Sequence, residues 1–145
     1  MIGLLQRVTR ARIEVDNGTI AQIDAGLLVL VGVEKQDSKA RADRLLKRLL
    51  GYRVFPDIDG KMNLSLIDIQ AELLLVPQFT LLADTRKGMR PGFSASPPPE
   101  QGKALFHYLV VRAQARYDKV AAGQFGTSMQ VSLTNDGPVT FWLQV

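Results

Sequence analysis

The sequence has no cysteine and a single histidine, His107. The first absence excludes disulfides, a thiol nucleophile, thiolate-bound zinc and iron–sulfur clusters, and it fits a reducing compartment. The second excludes a histidine-rich metal site and forces any Ser-His-Asp scheme through one residue. Long apolar runs are also missing. The longest uncharged apolar stretch, Ala25 to Val33, is far too short to cross a bilayer, and Arg7, Arg10 and Arg12 interrupt the first segment before a signal-peptide core can form. A cytoplasmic protein with no membrane partner is expected. There is no Walker A loop, no G-x-G-x-x-G, no H-E-x-x-H and no G-x-S-x-G. The scattered acidic residues mark no glycosidase pair. No metal and no cofactor are expected.

What is present reads as one domain spanning residues 1–145, with 46% hydrophobic and 22% charged residues. A net charge of +4 leans mildly toward anionic partners such as nucleic acid. Leu4 to Val15 reads as a long strand, Asp16-Asn17-Gly18 as a hairpin turn and Thr19 to Ile23 as the returning strand. Leu27 to Val33 is apolar on both parities, the pattern of a strand covered on both faces. Ser38 is placed to cap a helix whose Ala42, Leu45, Leu46, Leu49 and Leu50 recur at helical spacing through Gly51; its basic side reads as solvated.

Further on, Tyr52 to Phe55 reads as a short strand and Pro56 to Gly60 as a turn, since no glutamate completes a calcium loop. Leu64 to Ile69 reads as a short helical or irregular piece, and Ala71 to Leu82 as a second doubly covered strand. Asp84 to Pro99 is a loop of about sixteen residues carrying Arg86, Lys87 and Arg90, a length often associated with function. A helix from about Glu100 to Tyr117 follows, with His107 facing solvent. Ser128 to Thr134 and Val139 to Val145 read as a closing hairpin around Asn135-Asp136-Gly137. The sum is an α+β domain, a mainly antiparallel sheet or β-roll with two helices on one side. Trp142 falls on the opposite face from Val139, Phe141, Leu143 and Val145 and needs a cover, either a helix or a second subunit.

For catalysis, elimination leaves a hydroxyl, backbone N–H groups and the substrate's own functional groups. That inventory suits a reaction that is already easy, such as hydrolysis of an activated ester. Two segments stand out. Pro77-Gln78-Phe79-Thr80-Leu81 ends an apolar strand, where backbone donors can be aimed at an oxyanion, although pattern alone favours a strand continuing past a kink at Pro77. Asn135-Asp136-Gly137-Pro138-Val139-Thr140 reads by pattern as a turn with proline opening the next strand.

Together with Gln6-Arg7-Val8, Gly60-Lys61-Met62-Asn63-Leu64, Ala83-Asp84-Thr85-Arg86, Arg90-Pro91 and Met129-Gln130-Val131-Ser132-Leu133, these two segments closely resemble the D-aminoacyl-tRNA deacylase family over the full length. The resemblance implies a proofreading step in translation. The ester joining a D-amino acid, or glycine, to the 3′ end of tRNA is hydrolysed, and L-aminoacyl-tRNA is spared. It implies a homodimer with its sites at the interface and a cis Gly137-Pro138 bond whose carbonyls reach the neighbouring subunit's pocket and exclude L side chains sterically. Arg7 matches the arginine that steadies those carbonyls. Gln78, Phe79 and Thr80 match the catalytic wall, with backbone N–H groups for the oxyanion, and Phe79 and Met129 would pack near the terminal adenosine. For Met129 a plain core position stays open, because Met129, Val131 and Leu133 share a face. Thr80 is the family's supposed nucleophile. The alternative, assistance by the adenosine 2′-hydroxyl, needs no protein base and fits the inventory better.

Two departures from the family pattern matter. Position 77 is proline in place of the usual serine, which removes an N–H and a hydroxyl, so any oxyanion donor must come from positions 78 to 80. Gly92 stands where serine is usual after Arg90-Pro91.

Overall fold

The computed structural model describes residues 1–145. Its spine is β1 (Ile2–Val15), a strand long enough to serve two neighbours on one edge. Ile2 to Val8 pair with β3 (Gly26–Gly32), and Ala11 to Val15 pair with β2 (Gly18–Ile23), both antiparallel. The other edge of β1 pairs with β8 (Gln130–Gln144) over almost its whole length. Between Val8 and Arg10 the register against β8 slips by one residue, leaving Thr9 as a bulge. Such a slip inverts side-chain parity. It lets Val8, then Ala11 and Ile13, point into the same apolar cluster.

The β1–β2 turn falls one position earlier than Asn-Gly chemistry implies. Val15 faces Gly18 across the ladder, so Asp16 and Asn17 are the two turn residues, with φ of 48° and 63°. Both short polar side chains tolerate the left-handed region that this hairpin needs.

Antiparallel pairing predominates around β1. Two parallel additions extend the sheet: β6 (Glu72–Pro77) beside β3, and β7 (Val120–Ala122) beside β6. Parallel neighbours require crossovers, and the two helices belong to them: α1 (Lys39–Gly51) lies between β3 and β6, and α2 (Pro99–Arg116) between β6 and β7. The helices share one face of the sheet. Leu45, Leu46 and Leu49 of α1 and Phe106, Leu109 and Ala113 of α2 join Leu27, Val29, Leu73 and Leu75 in the larger core. The alternate residues of the same strands, Leu28, Leu74 and Val76, enter the smaller one. Burial on both faces is why these strands read as unbroken apolar runs. Ser38 caps α1 by accepting from the Arg41 N–H at 3.4 Å. Across the helix pair, Asp43 accepts from Tyr108 Oη and Arg112 Nε, each at 3.0 Å.

Three expectations need correction. The segment 52–55 contributes only the two-residue β4 (Phe55–Pro56), which pairs with β5 (Met62–Leu64); the piece after β5 is irregular as expected, a turn in which Asp68 accepts from Ser65 N and Oγ. The strand expected through Leu82 stops at Pro77, and a 3-10 turn, Phe79–Leu82, takes over. Gly32 admits this turn: a Cβ there would lie 3.3 Å from both Leu81 Cβ and Leu82 Cδ2. Finally, the chain does not close as a hairpin. β8 runs through as one strand because residues on both sides of Asn135-Asp136-Gly137 have the same partner, β1.

Candidate active site

A cleft of about 690 Å³ opens between the end of β6, the long loop before α2 and the start of β8. This is ample for a small-molecule or nucleoside ligand. The end of β6 supplies Pro77, Gln78 and Phe79. The loop supplies Phe93 and the run Pro97-Pro98-Pro99, and the β7–β8 connection supplies Phe125 and Met129. No charged side chain lines it, and its polar groups are Gln78, Ser96 and Thr127. Recognition in such a lining comes from aromatic and apolar contact with a few directional hydrogen bonds.

The ring of Phe79 is more than half exposed and packs on Phe93, with centroids 5.2 Å apart and planes inclined by 49°. On the deeper side Phe125 leans on Phe106 at 6.5 Å. Gly102 of α2 makes room for that ring, since a Cβ would come within 3.2 Å of Phe125 Cζ. Met129 sits over Gly123, where a Cβ would approach its sulfur to 2.9 Å. It therefore packs partly against the smaller core and partly lines the cleft, joining its two sequence readings.

The backbone of the 77–80 segment divides its donors. Gln78 N–H donates to Val31 O at 2.8 Å and is spent extending the β3–β6 ladder. Pro77 has no N–H. The N–H groups of Phe79 and Thr80 open the 3-10 turn, so neither finds an acceptor within it, and no side chain caps them. Of the three positions expected to hold oxyanion donors, two remain free. The Thr80 hydroxyl accepts from Gln78 Nε2. Its partner is a carboxamide, and neither end of a carboxamide is a base at neutral pH. His107 is exposed on α2, outside the cleft lining.

Arg7, Gly137 and Pro138 lie apart from this cleft within the chain. The ladder between β1 and β8 pairs Gln6 with Thr140 and Val8 with Asn135, so a single residue, Arg7, faces the four from Asp136 to Val139. Asp136, Gly137 and Pro138 bulge outward and are exposed, with a cis peptide bond between the last two, while Val139 turns back into the larger core. The bulge is tied at its base. Asn135 Oδ1 accepts from Val139 N at 2.6 Å, and Asn135 Nδ2 donates to Thr140 Oγ1 at 3.1 Å. Arg7 braces it from below, donating to Asp136 O at 3.0 Å and to Val54 O at 2.6 Å. Trp142, further along β8, is half exposed with no helix over it.

Reading the sequence missed Phe93, Phe125, Gly102 and the proline run as cleft residues. Aromatics in irregular segments carry no periodicity to betray them. The usable signals were the length of the 84–99 loop and a glycine inside the second turn of α2.

The chain matches the family model described as D-Tyr-tRNA(Tyr) deacylase over residues 4–144. It is 61% identical over 144 residues to the D-aminoacyl-tRNA deacylase of Pseudomonas fluorescens, covering 99% of each chain. It is 59% identical over 145 residues to the protein of the same name in Nitrosococcus oceani, covering 100% of this chain and 94% of the relative. Among solved structures, the c-Myc DNA Unwinding Element Binding Protein superimposes with a TM-score of 0.95 at 36% identity, covering 100% of this chain and 99% of the other.

Proposed function

Because the chain belongs to the D-Tyr-tRNA(Tyr) deacylase family, we propose that its cleft receives the aminoacylated 3′-terminal adenosine of tRNA and that the enzyme hydrolyses the D-aminoacyl ester, releasing the free D-amino acid and the tRNA. One observation carries the chemistry: the N–H groups of Phe79, which lines the uncharged aromatic cleft, and of Thr80, next to it, open the 3-10 turn and have no partner within it. Water adds to the ester carbonyl carbon, and the oxygen that gains charge is received by these donors. Collapse breaks the bond to the ribose 3′-oxygen. The 2′-hydroxyl orients the attacking water and relays its proton to the departing oxygen, so that the acid and the 3′-hydroxyl share the elements of one water. A single oxyanion donor is worth about 10²–10³ in rate. An activated ester therefore needs no protein base, in keeping with a Thr80 hydroxyl bonded only to a carboxamide.

Chirality is assigned to the exposed Gly137-Pro138 bulge. In this reading the protein is a homodimer in which each bulge enters the partner's cleft, its carbonyl oxygens taking the substrate's α-amino group and its backbone blocking an L side chain. Glycine, which has no side chain to block, would pass. Three features support the arrangement: the bulge points outward, it is braced by Arg7 and Asn135, and it shares β8 with the uncovered Trp142. D-tyrosyl-tRNA and L-tyrosyl-tRNA incubated with the protein under matched conditions test it. Release of D-tyrosine with survival of the L ester is expected. Equal cleavage of both would refute the stereochemical filter, and RNA binding without turnover would refute the hydrolase.

A further inference from the structure

The loop between the 3-10 turn and α2 does more than wall the cleft. Asp84 and Gly92 form an antiparallel bridge, with Asp84 N–H donating to Gly92 O at 2.7 Å and Gly92 N–H to Asp84 O at 3.0 Å. The bridge closes the segment 85–91 into a tip, and the residue after it is Phe93, the ring that packs on Phe79. Within the tip, Arg86 is neutralised by Asp84 through bonds of 2.9 and 2.7 Å. Lys87 and Arg90 make no ion pair and no side-chain hydrogen bond, and both are exposed. Met89, between them, is fully exposed. The cleft itself carries no charge. Two uncompensated cations are thus tethered, one residue beyond a hydrogen-bonded bridge, to the wall of an uncharged nucleoside-sized cleft.

We propose that Lys87 and Arg90 hold the phosphodiester backbone of the single-stranded 3′ end of tRNA, the strand that must pass this tip when its terminal nucleoside occupies the cleft. The proposal rests on the aminoacyl-tRNA reading above. The division of labour follows from solvation. Phosphates stay hydrated and are met by exposed, flexible cations, while the terminal nucleoside is desolvated among aromatics. Contacts of this kind position the strand without reading its sequence. Met89 offers an apolar surface to a neighbouring base.

Filter binding of uncharged tRNA at a series of salt concentrations tests the assignment. The full chain, the double variant Lys87→Ala/Arg90→Ala, and a charge-matched control, Arg44→Ala/Lys47→Ala on the exposed side of α1, are compared. The tip variant is expected to raise Kd roughly tenfold and to flatten the plot of log affinity against log salt by about 1.4, the loss of two single-strand phosphate contacts. KM for D-tyrosyl-tRNA should rise in step. An unchanged Kd and slope, or an equal loss in the control, would overturn the proposal. The two readings separate cleanly. If tRNA binding depends on the tip but the D-ester survives, the deacylase assignment falls and the surface stands. If the D-ester is cleaved and the tip variant binds normally, the reverse holds.

Discussion

Arg7 and Asp136 are joined twice: Arg7 Nε donates to the Asp136 main-chain oxygen at 3.0 Å and lies 3.1 Å from its carboxylate. The same guanidinium reaches Val54 O at 2.6 Å. One planar fork thus fixes the start of the β8 bulge to the chain that follows α1. A lysine ammonium cannot reproduce two directional bonds from one plane. Hydrogen bonds from a charged donor contribute about 1.5–3 kcal/mol. Arg7→Lys is therefore expected to lower kcat/KM for D-tyrosyl-tRNA by roughly 10–100-fold, with the far-ultraviolet spectrum unchanged. Full activity in the lysine variant would show that the bulge needs no brace.

Thr80 and Gly137 are expected to respond oppositely to substitution by alanine. Thr80→Ala removes a hydroxyl whose bonded partner is a carboxamide and leaves both backbone donors, so deacylation should stay within about tenfold of the parent. Gly137 has φ of +138°, and a Cβ there would sit 2.6 Å from Val139 Cγ2 and 3.0 Å from Val139 N. Gly137→Ala must distort the bulge and should reduce turnover far more, by roughly 100-fold or greater. Single-turnover rates with folded protein decide the matter. Loss of all activity in Thr80→Ala would restore threonine as the nucleophile.

Local patterns carried much of the fold. Ser38 and the Ala42-Leu45-Leu46-Leu49-Leu50 spacing mark α1 within a residue of its ends, and the double-sided runs of β3 and β6 were legible as buried strands. Partners in space were not. Asn135-Asp136-Gly137 has turn chemistry, yet whether such a segment folds back or merely bulges depends on which strand pairs with each side, and here both sides meet β1. Likewise nothing near Thr80 announces a 3-10 turn; the space for it is set by Gly32, nearly fifty residues earlier, on the neighbouring strand. The site was legible in its motif residues but not as an assembly. Gln78, Phe79 and Met129 meet in the cleft, whereas Arg7, Gly137 and Pro138 stand outside it on the same chain.

Two glycines give contrasting stability predictions. A Cβ at Gly26 would fall 2.0 Å from Glu72 O and 2.7 Å from its carbonyl carbon, backbone atoms at the start of the parallel β3–β6 pairing. Gly26→Ala must separate these strands and should cost more than about 4 kcal/mol, the range reserved for backbone disruption in a core. At Gly51, the last residue of α1, a Cβ meets nothing within 4 Å. Gly51→Ala should stabilise by about 0.4–1 kcal/mol through the unfolded chain, raising Tm by roughly 1–4 °C. Thermal melts of both variants would expose an error in either assignment, most directly if Gly26→Ala melts like the parent.

The tip of the long loop has its own pH dependence. Arg86 donates to the Asp84 carboxylate from Nε and NH2, and its backbone N–H adds a third bond at 3.1 Å. The Arg86 side chain, above all, holds the Asp84 carboxyl well below the usual carboxylate range. A depressed carboxylate stabilises the folded loop above its unfolded pKa, about 3.9, and loses that contribution as pH falls through the folded value. The clasp should therefore persist through neutral and mildly acid solution and open only in strong acid. Asp84→Asn removes the charge at every pH. At pH 8 this variant is expected to free Arg86 and raise the rate of trypsin cleavage in the 85–91 tip by roughly threefold to tenfold, because proteolysis follows the open population of a loop. Parent and variant cut at the same rate would mean that the Asp84–Gly92 backbone bridge alone holds the tip, with the ion pair contributing nothing to its closure.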